Sequence, residues 1–379
     1  MRILIYTLEF PPCRGGAGVY GHDLAKGLSL VGEEVQVLTC RYGPADIWVD
    51  NQLPCEVRRV PVSWVPKKDA RILDRFLSDW RPDVLIIANH GAQLTVPFSS
   101  RLRSLPYAII LFRSDILHQF GPVTSWGEYL RWLRNRRVCF GAARLIAISR
   151  HTKELLGLYL PQMHCRTDVV TLCVDTERFL PQNDSSLLRS HLKLEDRKIV
   201  LSLSRLVPHK HQDILIRAML QVRQQVSDAY LLIVGDGPER RRLTQLVREN
   251  DLFDCVGFVG EIPESIKPDF YRMCDLFALV SEGEGFGIVY LEASACGKAV
   301  LGADSGGTPD AIAAGVSGEL ARLGDVHDTA AKLIALLNDS ERRQRLGGQG
   351  RERVLEGFTL RHMGERTLHS LTLAVAAGR

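Results

Sequence analysis

The chain of 379 residues is 45% hydrophobic and 24% charged, with a formal net charge of +4. This composition lies far from that of disordered proteins, and the length exceeds what one hydrophobic core usually serves, so we expect two globular domains. The small net charge, without a recognised nucleic-acid motif, argues against a nucleic-acid partner.

Neither a membrane span nor a metal site is predicted. The longest apolar runs fall far short of the roughly 20 residues that cross a bilayer. The N-terminus lacks the apolar region and cleavage site of a signal peptide, so we interpret it as a core strand. The nine cysteines show no paired metal spacing, which favours reduced thiols and a cytoplasmic location.

The first half of the chain alternates short apolar runs with a longer amphipathic run. Strands are predicted at residues 3–7, 35–39, 84–88 and 108–112, and a helix at residues 18–31. Such alternation indicates parallel strands joined by crossover helices.

A glycine-rich stretch opens the predicted helix. Residues 16–21 match the G-x-G-x-x-G pattern of dinucleotide sites, but the loop before them is too long, and no acidic residue ends the second strand. A nicotinamide or flavin site is therefore disfavoured. The amides of Gly15 and Gly16 could still bind a sugar diphosphate at the helix N-terminus; alternatively, these glycines only permit a turn.

Positive charge is concentrated in the first half. Residues 1–180 contain 23 Lys and Arg against 17 Asp and Glu, a net charge of +6, while the remainder contains 25 against 27, a net charge of −2. The basic residues cluster beside aromatic ones in residues 64–75 and in the helical pattern of residues 126–137. Both segments fit contact with an anionic membrane or a phosphorylated acceptor. The alternative is a solvated basic face whose aromatic side chains pack inward.

The alternating pattern restarts after a polar stretch that begins at residue 181. Strands are predicted at residues 199–204, 230–234, 276–280 and 299–302, with a helix at residues 212–225. We therefore predict α/β domains with doubly wound parallel sheets, at residues 1–180 and 181–355, and a helical C-terminal segment at residues 356–379. Ligands of such sheets bind beyond the carboxyl ends of the strands.

Loops of the second half combine cations, glycines and carboxylates. Arg205 and Lys210 follow a strand and form a plausible clamp for a diphosphate, although solvated surface charge would also explain them. A loop with Gly235 follows the next strand, where glycine permits close approach by a ligand or simply a turn.

The most informative segment is residues 280–288, a glycine-rich loop that enters a helical pattern at residues 289–296. Glu284 lies in the loop, and Glu292 lies about two helical turns farther on, so the two cannot form one tight acid pair. The spacing suits two tasks on one elongated ligand, with Glu284 near a sugar and Glu292 near a ribose diol. The alternative for Glu292 is a carboxylate on a helix surface.

These elements together resemble the retaining glycosyltransferases of family four, which have the GT-B fold. The resemblance covers nearly the whole chain and rests on the Gly15-Gly16 loop, the Arg205 and Lys210 pair, residues 234–238, the E-x7-E element from Glu284 to Glu292, and residues 306–307. The segment at residues 172–179 resembles the family's linker signature, with Leu-Cys where Asn-Gly is usual.

The resemblance implies two Rossmann-like domains that face a central cleft, with the sugar nucleotide bound mainly by the C-terminal domain. Arg205 and Lys210 would neutralise the departing diphosphate, Glu284 would contact the sugar and Glu292 the ribose. The backbone of Gly285, Phe286, Gly287 and Ile288 would hold sugar hydroxyls and phosphate. The family also implies a retained anomeric configuration and catalysis without metal or other cofactor.

One departure from the family pattern concerns the acceptor side. Arg113 occupies the place of the family's usual histidine, and a guanidinium is a poor proton acceptor. We favour Arg113 and Asp115 over His118 as acceptor-side residues, although His118 could supply the imidazole.

The expected activity is transfer of a hexosyl group to a glycan, a lipid-linked or a small-molecule acceptor. The donor base would pack near Phe258, Val259 and Met273, with UDP favoured and GDP next. The alternatives are a sugar-nucleotide epimerase and a non-catalytic sugar-nucleotide-binding protein. The basic segments would place the enzyme in the cytoplasm, at the inner face of the membrane.

Overall fold

The structure is a computed structural model and describes residues 1–13, 15–61, 65–181 and 186–377. The chain forms two compact units, one of residues 1–173 with the C-terminal residues from 360 onward, the other of residues 174–359. In the described residues, no helix combines the length and the apolar character that crossing a membrane requires.

The first unit contains a parallel sheet. Its strands are β1 (Arg2–Tyr6), β2 (Glu34–Cys40), β3 (Glu56–Val60), β4 (Val84–Ile87), β5 (Tyr107–Leu111), β6 (Arg144–Ala147) and β7 (Thr167–Val169). Their order is β3-β2-β1-β4-β5-β6-β7, and Ile3 of the central strand pairs with Val35 on one side and Val84 on the other. The first three predicted strand positions in β1, residues 3–5, are fully buried, as in a parallel sheet covered on both faces.

Helices cover this sheet. They are α1 (Gly16–Leu30), α2 (Asp46–Asp50), α3 (Pro66–Trp80), α4 (His90–Gln93), α5 (Arg113–Phe120), α6 (Trp126–Gly141) and α7 (Arg150–Tyr159). Helix α1 begins two residues before the predicted start, because Gly15 and not Ala17 caps it. The glycine pattern of residues 16–21 has a packing role, since Gly18 and Gly21 lie against Phe10.

The second unit contains another parallel sheet. Its strands are β8 (Lys198–Leu203), β9 (Ala229–Val234), β10 (Val256–Gly260), β11 (Leu276–Leu279), β12 (Ala299–Ala303) and β13 (Gly318–Ala321). The order β10-β9-β8-β11-β12-β13 repeats the reversal seen in the first unit. Both orders are those of a doubly wound sheet, so the predicted fold class is confirmed.

The second unit also has helices on its sheet. They are α8 (Ser186–His191), α9 (Gln212–Gln225), α10 (Arg240–Glu249), α11 (Lys267–Met273), α12 (Ile288–Ala295), α13 (Thr308–Ala311), α14 (Val326–Asn338) and α15 (Ser340–Gly357). Helix α9 has the predicted bounds. Helix α12 begins and ends one residue earlier than predicted, because Gly287 in the left-handed region caps its N-terminus.

The last helix, α16 (Leu360–Ala377), packs on α1 within the first unit. A side chain on Gly27 would collide with the carbonyl oxygen of Leu360, and one on Gly364 would collide with the carbonyl oxygen of Gly27. The two glycines thus permit a close helix crossing, which attaches the end of the chain to the unit where it began.

Candidate active site

The candidate donor site lies at the carboxyl edge of the second sheet. Strands β9, β8, β11 and β12 are neighbours there, and the loop after each of them contains residues that the sequence singled out. Because parallel strands point the same way, all four loops emerge at one edge.

The first two of these loops pack backbone to backbone. Gly235 has φ 125°, and a side chain on it would collide with the carbonyl oxygen of Ser204; Gly237 lies in the same way against Leu206. The Leu206 amide donates to the carbonyl oxygen of Asp236 at 2.9 Å. The glycines of this loop therefore serve close approach to the loop that carries Arg205.

The other two loops are joined by hydrogen bonds. The Gly307 amide donates to the carbonyl oxygen of Glu284 at 2.7 Å, and the Gly283 amide donates to Ser305 Oγ at 3.0 Å. The Glu282 amide donates to the carbonyl oxygen of His209 at 2.8 Å. This last bond connects the glutamate loop to the loop of Arg205 and Lys210.

Lys210 and Glu284 form an ion pair between these loops, with Lys210 Nζ donating to Glu284 Oε1. Their side chains are 18% and 13% exposed, while Arg205 is exposed. The three residues proposed for catalysis thus come from loops that touch, and Lys210 already has an anionic partner. Sequence spacing could not indicate this pair, because 74 positions separate its members.

The glutamate loop turns into α12 at Gly287, which has φ 92°. The first amides of a helix have no partner within the helix and carry the positive end of its dipole. The Phe286 side chain is only 1% exposed and packs 6.1 Å from the ring of Phe358. A donor bound here would consequently meet the backbone of Phe286 and not its ring.

Glu292 lies in α12 and is only 5% exposed, so its interpretation as a helix-surface carboxylate was wrong. Lys267 Nζ donates to its Oε1 at 2.8 Å, and the Tyr271 hydroxyl donates to its Oε2 at 2.7 Å. Burial, together with the adjacent Glu292 charge, holds the pKa of Tyr271 well above its usual value. The hydroxyl therefore remains a donor to the carboxylate at all physiological pH values.

The residues predicted to receive the base have different environments. Phe258 and Val259 lie in the edge strand β10 and are partly buried, with the Arg240 guanidinium 4.5 Å from the Phe258 ring centroid. Met273 is fully buried, so it could shape a base site only through packing from beneath. Its position at the end of α11 faces the core because the helix packs on β8.

The first unit brings a second polar group together where β1, β4 and β5 end. Asn89 Nδ2 donates to Glu9 Oε1 at 3.2 Å, and the Leu8 amide donates to Asn89 Oδ1 at 3.0 Å. A side chain on Gly15 would lie 3.5 Å from Glu9 Oε2. Burial and the neighbouring Glu9 carboxylate raise the pKa of Asp115 to about 7, against the opposing effect of the Phe112 amide bond.

Arg113 and His118 both lie in α5, but in different surroundings. Arg113 is the first residue of the helix, and its Nε is buried without a hydrogen-bond partner among the described residues. His118 is exposed, and its ring centroid lies 5.3 Å from that of His90. Burial, with a smaller contribution from His118, lowers the pKa of His90 to about 4.

Several residues of both groups were missed by the sequence analysis. Glu9, Asn89 and His90 each follow a predicted strand, so their position at a sheet edge was a usable signal. Lys267 and Tyr271 had none, because they lie on a short helix whose contact with α12 arises only in the folded unit. Among the described residues, no group of three or more His, Cys, Asp or Glu is arranged to hold a metal ion.

Known proteins resemble this chain in sequence and in fold. Residues 184–353 match the glycosyl transferases group 1, and residues 15–172 match the glycosyl transferase 4-like domain. A GDP-mannose-dependent alpha-(1-6)-phosphatidylinositol monomannoside mannosyltransferase of Mycobacterium tuberculosis is 36% identical, over 93% of this chain and 93% of that protein. Its namesake from Mycolicibacterium smegmatis is 38% identical over 52% of this chain and 54% of that protein.

The crystal structure of the Anabaena protein HepE in complex with UDP has a TM-score of 0.80 at 22% identity, covering 98% of this chain and 100% of that one. The fold and the donor-site loops define a glycosyltransferase of the GT-B class. The chain belongs to glycosyltransferase family four, the glycosyl transferases of group 1.

Proposed function

We propose that this glycosyltransferase moves a hexosyl group from a nucleotide diphosphate sugar to a hydroxyl of a glycan, lipid-linked or small-molecule acceptor, with retention and without a metal ion. The supporting observation is the junction of four loops that brings Arg205, Lys210, Glu284 and the N-terminus of α12 to one sheet edge. Fixed cations and amides are most effective where charge develops in the transition state.

In the proposed reaction, the bond between the anomeric carbon and the β-phosphate oxygen breaks, and the acceptor oxygen bonds to the same face of the sugar. Arg205, Lys210 and the first amides of α12 stabilise the charge of the leaving diphosphate. A phosphate oxygen takes the proton of the acceptor hydroxyl. Glu284 orients the sugar and keeps the Lys210 ammonium in place before the donor arrives.

We place GDP-mannose first among donors, because the relative that matches along nearly the whole chain is named for it. UDP-sugars rank second; the UDP-bound neighbour is similar in fold at 22% identity. Phe258 and Val259 would select the base from β10. The same relative is named for a phosphatidylinositol monomannoside acceptor, which makes a lipid-linked glycan our first choice, with Arg113, Asp115 and Glu9 on the acceptor side.

The exposed face of α6 supports peripheral contact with the inner, anionic face of a membrane. Trp126, Leu130 and Leu133 are 72%, 50% and 38% exposed and follow one side of the helix. Arg134 and Arg137 are exposed beside them. Apolar side chains bordered by arginines are typical of helices that lie in an interface.

The inward part of α6 is different. Arg136 lies over the rings of Trp132 and Phe140 at 5.5 and 4.8 Å, and Arg131 pairs with Glu128 at 3.6 Å. The other basic segment, residues 64–75, has Lys67 and Lys68 exposed on α3. Its Trp64 lies outside the described residues.

The activity is tested by a thermal-shift screen of GDP-, UDP-, ADP- and TDP-sugars, followed by transfer from labelled donor to lipid extracts containing phosphatidylinositol mannosides. A ligand that binds the native state raises its apparent stability. We expect the largest shift with GDP-mannose and labelled lipid as product. Donor binding without transfer or hydrolysis across a broad acceptor screen would instead indicate a binding protein.

Membrane contact is tested by cosedimentation with phosphatidylglycerol and phosphatidylcholine vesicles. We expect binding to the anionic vesicles that is reduced in the W126S/L130S variant. Leu158→Ser, at an 80% exposed leucine on α7, is the control and should bind as the wild type does. Equal binding to neutral and anionic vesicles contradicts the proposal.

A further inference from the structure

The contacts of Glu292 go beyond what a ribose ligand requires. Both carboxylate oxygens already accept a hydrogen bond, from Lys267 and from Tyr271, and both donors come from α11. An ionised carboxylate has about four acceptor positions, two on each oxygen. One position on each oxygen is therefore still available for a ligand diol.

Lys267 and Tyr271, which donate these two hydrogen bonds, are themselves held in place by packing. Tyr271 is fully buried and packs edge-on against Phe179, with ring centroids 5.9 Å apart. The Lys267 ammonium lies 6.0 Å from the centroid of the same Phe179 ring, and its side chain is 12% exposed. Phe179 is itself buried, so one aromatic ring supports both partners of the carboxylate.

Lys267 also supplies the counter-charge of Glu292. Its Nζ lies 2.8 Å from Glu292 Oε1 and 3.8 Å from an oxygen of Glu264, whose side chain is 69% exposed. A charged carboxylate this buried is costly without a close cation. Lys267 therefore offsets the cost of burying the Glu292 charge and fixes the direction of one of its oxygens.

We propose that Lys267 is a positioning residue for nucleotide recognition. Its ammonium balances the buried Glu292 charge and, with Tyr271, fixes the carboxylate so that the hydroxyls of the donor ribose can donate to it. This inference rests on the proposed function, with Glu292 contacting the donor ribose as the family resemblance implies. Lys267 thereby determines how strongly the enzyme prefers a ribonucleotide to a nucleotide without the diol.

The test compares the dissociation constants of GDP and 2′,3′-dideoxy-GDP, measured calorimetrically with the wild type and variants. Hydrogen bonds to a charged group contribute enough for a preference of about tenfold or more. We expect this preference in the wild type, its loss in Glu292→Gln and Lys267→Met, and substantial retention in Lys267→Arg. Tyr271→Phe should lose less than Lys267→Met, because it removes no charge.

The ratio of the two constants distinguishes positioning from a general structural role. Each ratio comes from one protein sample, so partial unfolding of Lys267→Met affects both ligands equally. Lys332→Met, which removes a 3.9 Å contact with Glu319 in the same unit, is the matched control and should keep the wild-type ratio.

Two results would overturn the inference and are distinguishable. If the wild type and Glu292→Gln show the same lack of preference for the diol, the proposed ribose contact of Glu292 fails, and the role of Lys267 fails with it. If the wild type prefers GDP and Glu292→Gln does not, but Lys267→Met keeps the full preference, only the role of Lys267 fails.

Discussion

The charged side chains of the candidate donor site differ from Arg113 of the first unit in how they are paired. In the second unit, Lys210 pairs with Glu284, and Glu292 receives bonds from Lys267 and Tyr271. In the first unit, the buried Arg113 Nε has no hydrogen-bond partner among the described residues. Lys210, Glu284 and Glu292 are thus held by side-chain partners, whereas Arg113 Nε has bonding capacity to offer a ligand.

The carboxyl groups of the two units also differ in their electrostatic environments. The carboxylates Glu284 and Glu292 each have a lysine within ion-pair distance. Asp115 instead has Glu9 as its charged neighbour, and its pKa is raised to about 7. A site with balanced charge suits the binding of a charged donor, while a carboxyl that titrates near neutrality suits exchange of hydrogen bonds with hydroxyl groups.

Removal of Lys210 should have the largest effect. Lys210→Met takes away a fixed cation where the diphosphate charge develops, so kcat for transfer should fall about 10²–10³-fold. Lys332→Met should leave kcat unchanged. A double-mutant cycle with Glu284→Gln should show coupling, because the two residues are in contact; additive effects would mean that their pairing has no role in transfer.

Removal of Arg113 tests whether its guanidinium, whose Nε has no hydrogen-bond partner among the described residues, binds a ligand. Arg113→Ala should lower kcat/KM for the acceptor about 10–100-fold, the range expected for hydrogen bonds from a charged group. His118→Ala, at an exposed residue of the same helix, should remain within about threefold of the wild type. Unchanged kinetics in Arg113→Ala with loss of activity in His118→Ala would reverse the assignment.

Asp115 should make stability depend on pH. Between about pH 4, the usual carboxyl pKa, and pH 7, the folded chain retains a proton that the unfolded chain has released. The free energy of unfolding therefore falls as the pH rises through this window. The free energy of unfolding of Asp115→Asn should exceed that of the wild type by about 4 kcal/mol at pH 8, and the difference should vanish near pH 4.

The difference between Asp115→Asn and the wild type separates the effect of Asp115 from that of His90. The two residues change the free energy of unfolding with pH in opposite directions. With a pKa lowered to about 4, His90 destabilises the fold as the pH falls below its usual value near 6.5. His90 is present in both proteins, so its contribution cancels in the difference measured by chemical denaturation. A difference that does not change with pH would contradict the raised pKa of Asp115.

The smallest expected effect concerns Gly16 and Gly235, for which the sequence predicted the same two roles, a ligand contact or a turn. Gly235→Ala should lower the free energy of unfolding by more than about 1 kcal/mol, because the methyl group collides with Ser204 and φ is positive. Gly16→Ala meets no atom within 4 Å and should be neutral or slightly stabilising. Equal free energies of unfolding of the two variants in urea would show that the loops of Gly235 and Ser204 can move apart to accept the methyl group.

Local patterns were sufficient to predict the sheet class and many of the elements. Apolar runs at residues 3–7 and 84–88 identify buried parallel strands because both faces of such strands must be apolar, and the period of α9 is visible in its own residues. The strands predicted at residues 199–204 and 276–280 directed attention to Arg205, Lys210 and Glu284, because ligands of such sheets bind beyond the carboxyl ends of the strands. The E-x7-E spacing likewise indicated that Glu284 and Glu292 have separate tasks.

Tertiary structure decided which groups meet. The burial of Glu292, its bonds from Lys267 and Tyr271, and the pairing of Lys210 with Glu284 depend on helices and loops far apart in the chain. The closeness of Glu9 to Asp115 has the same origin. Strand and helix periodicity are set by neighbouring residues, whereas the charge environment of a side chain is set by whatever the fold packs against it.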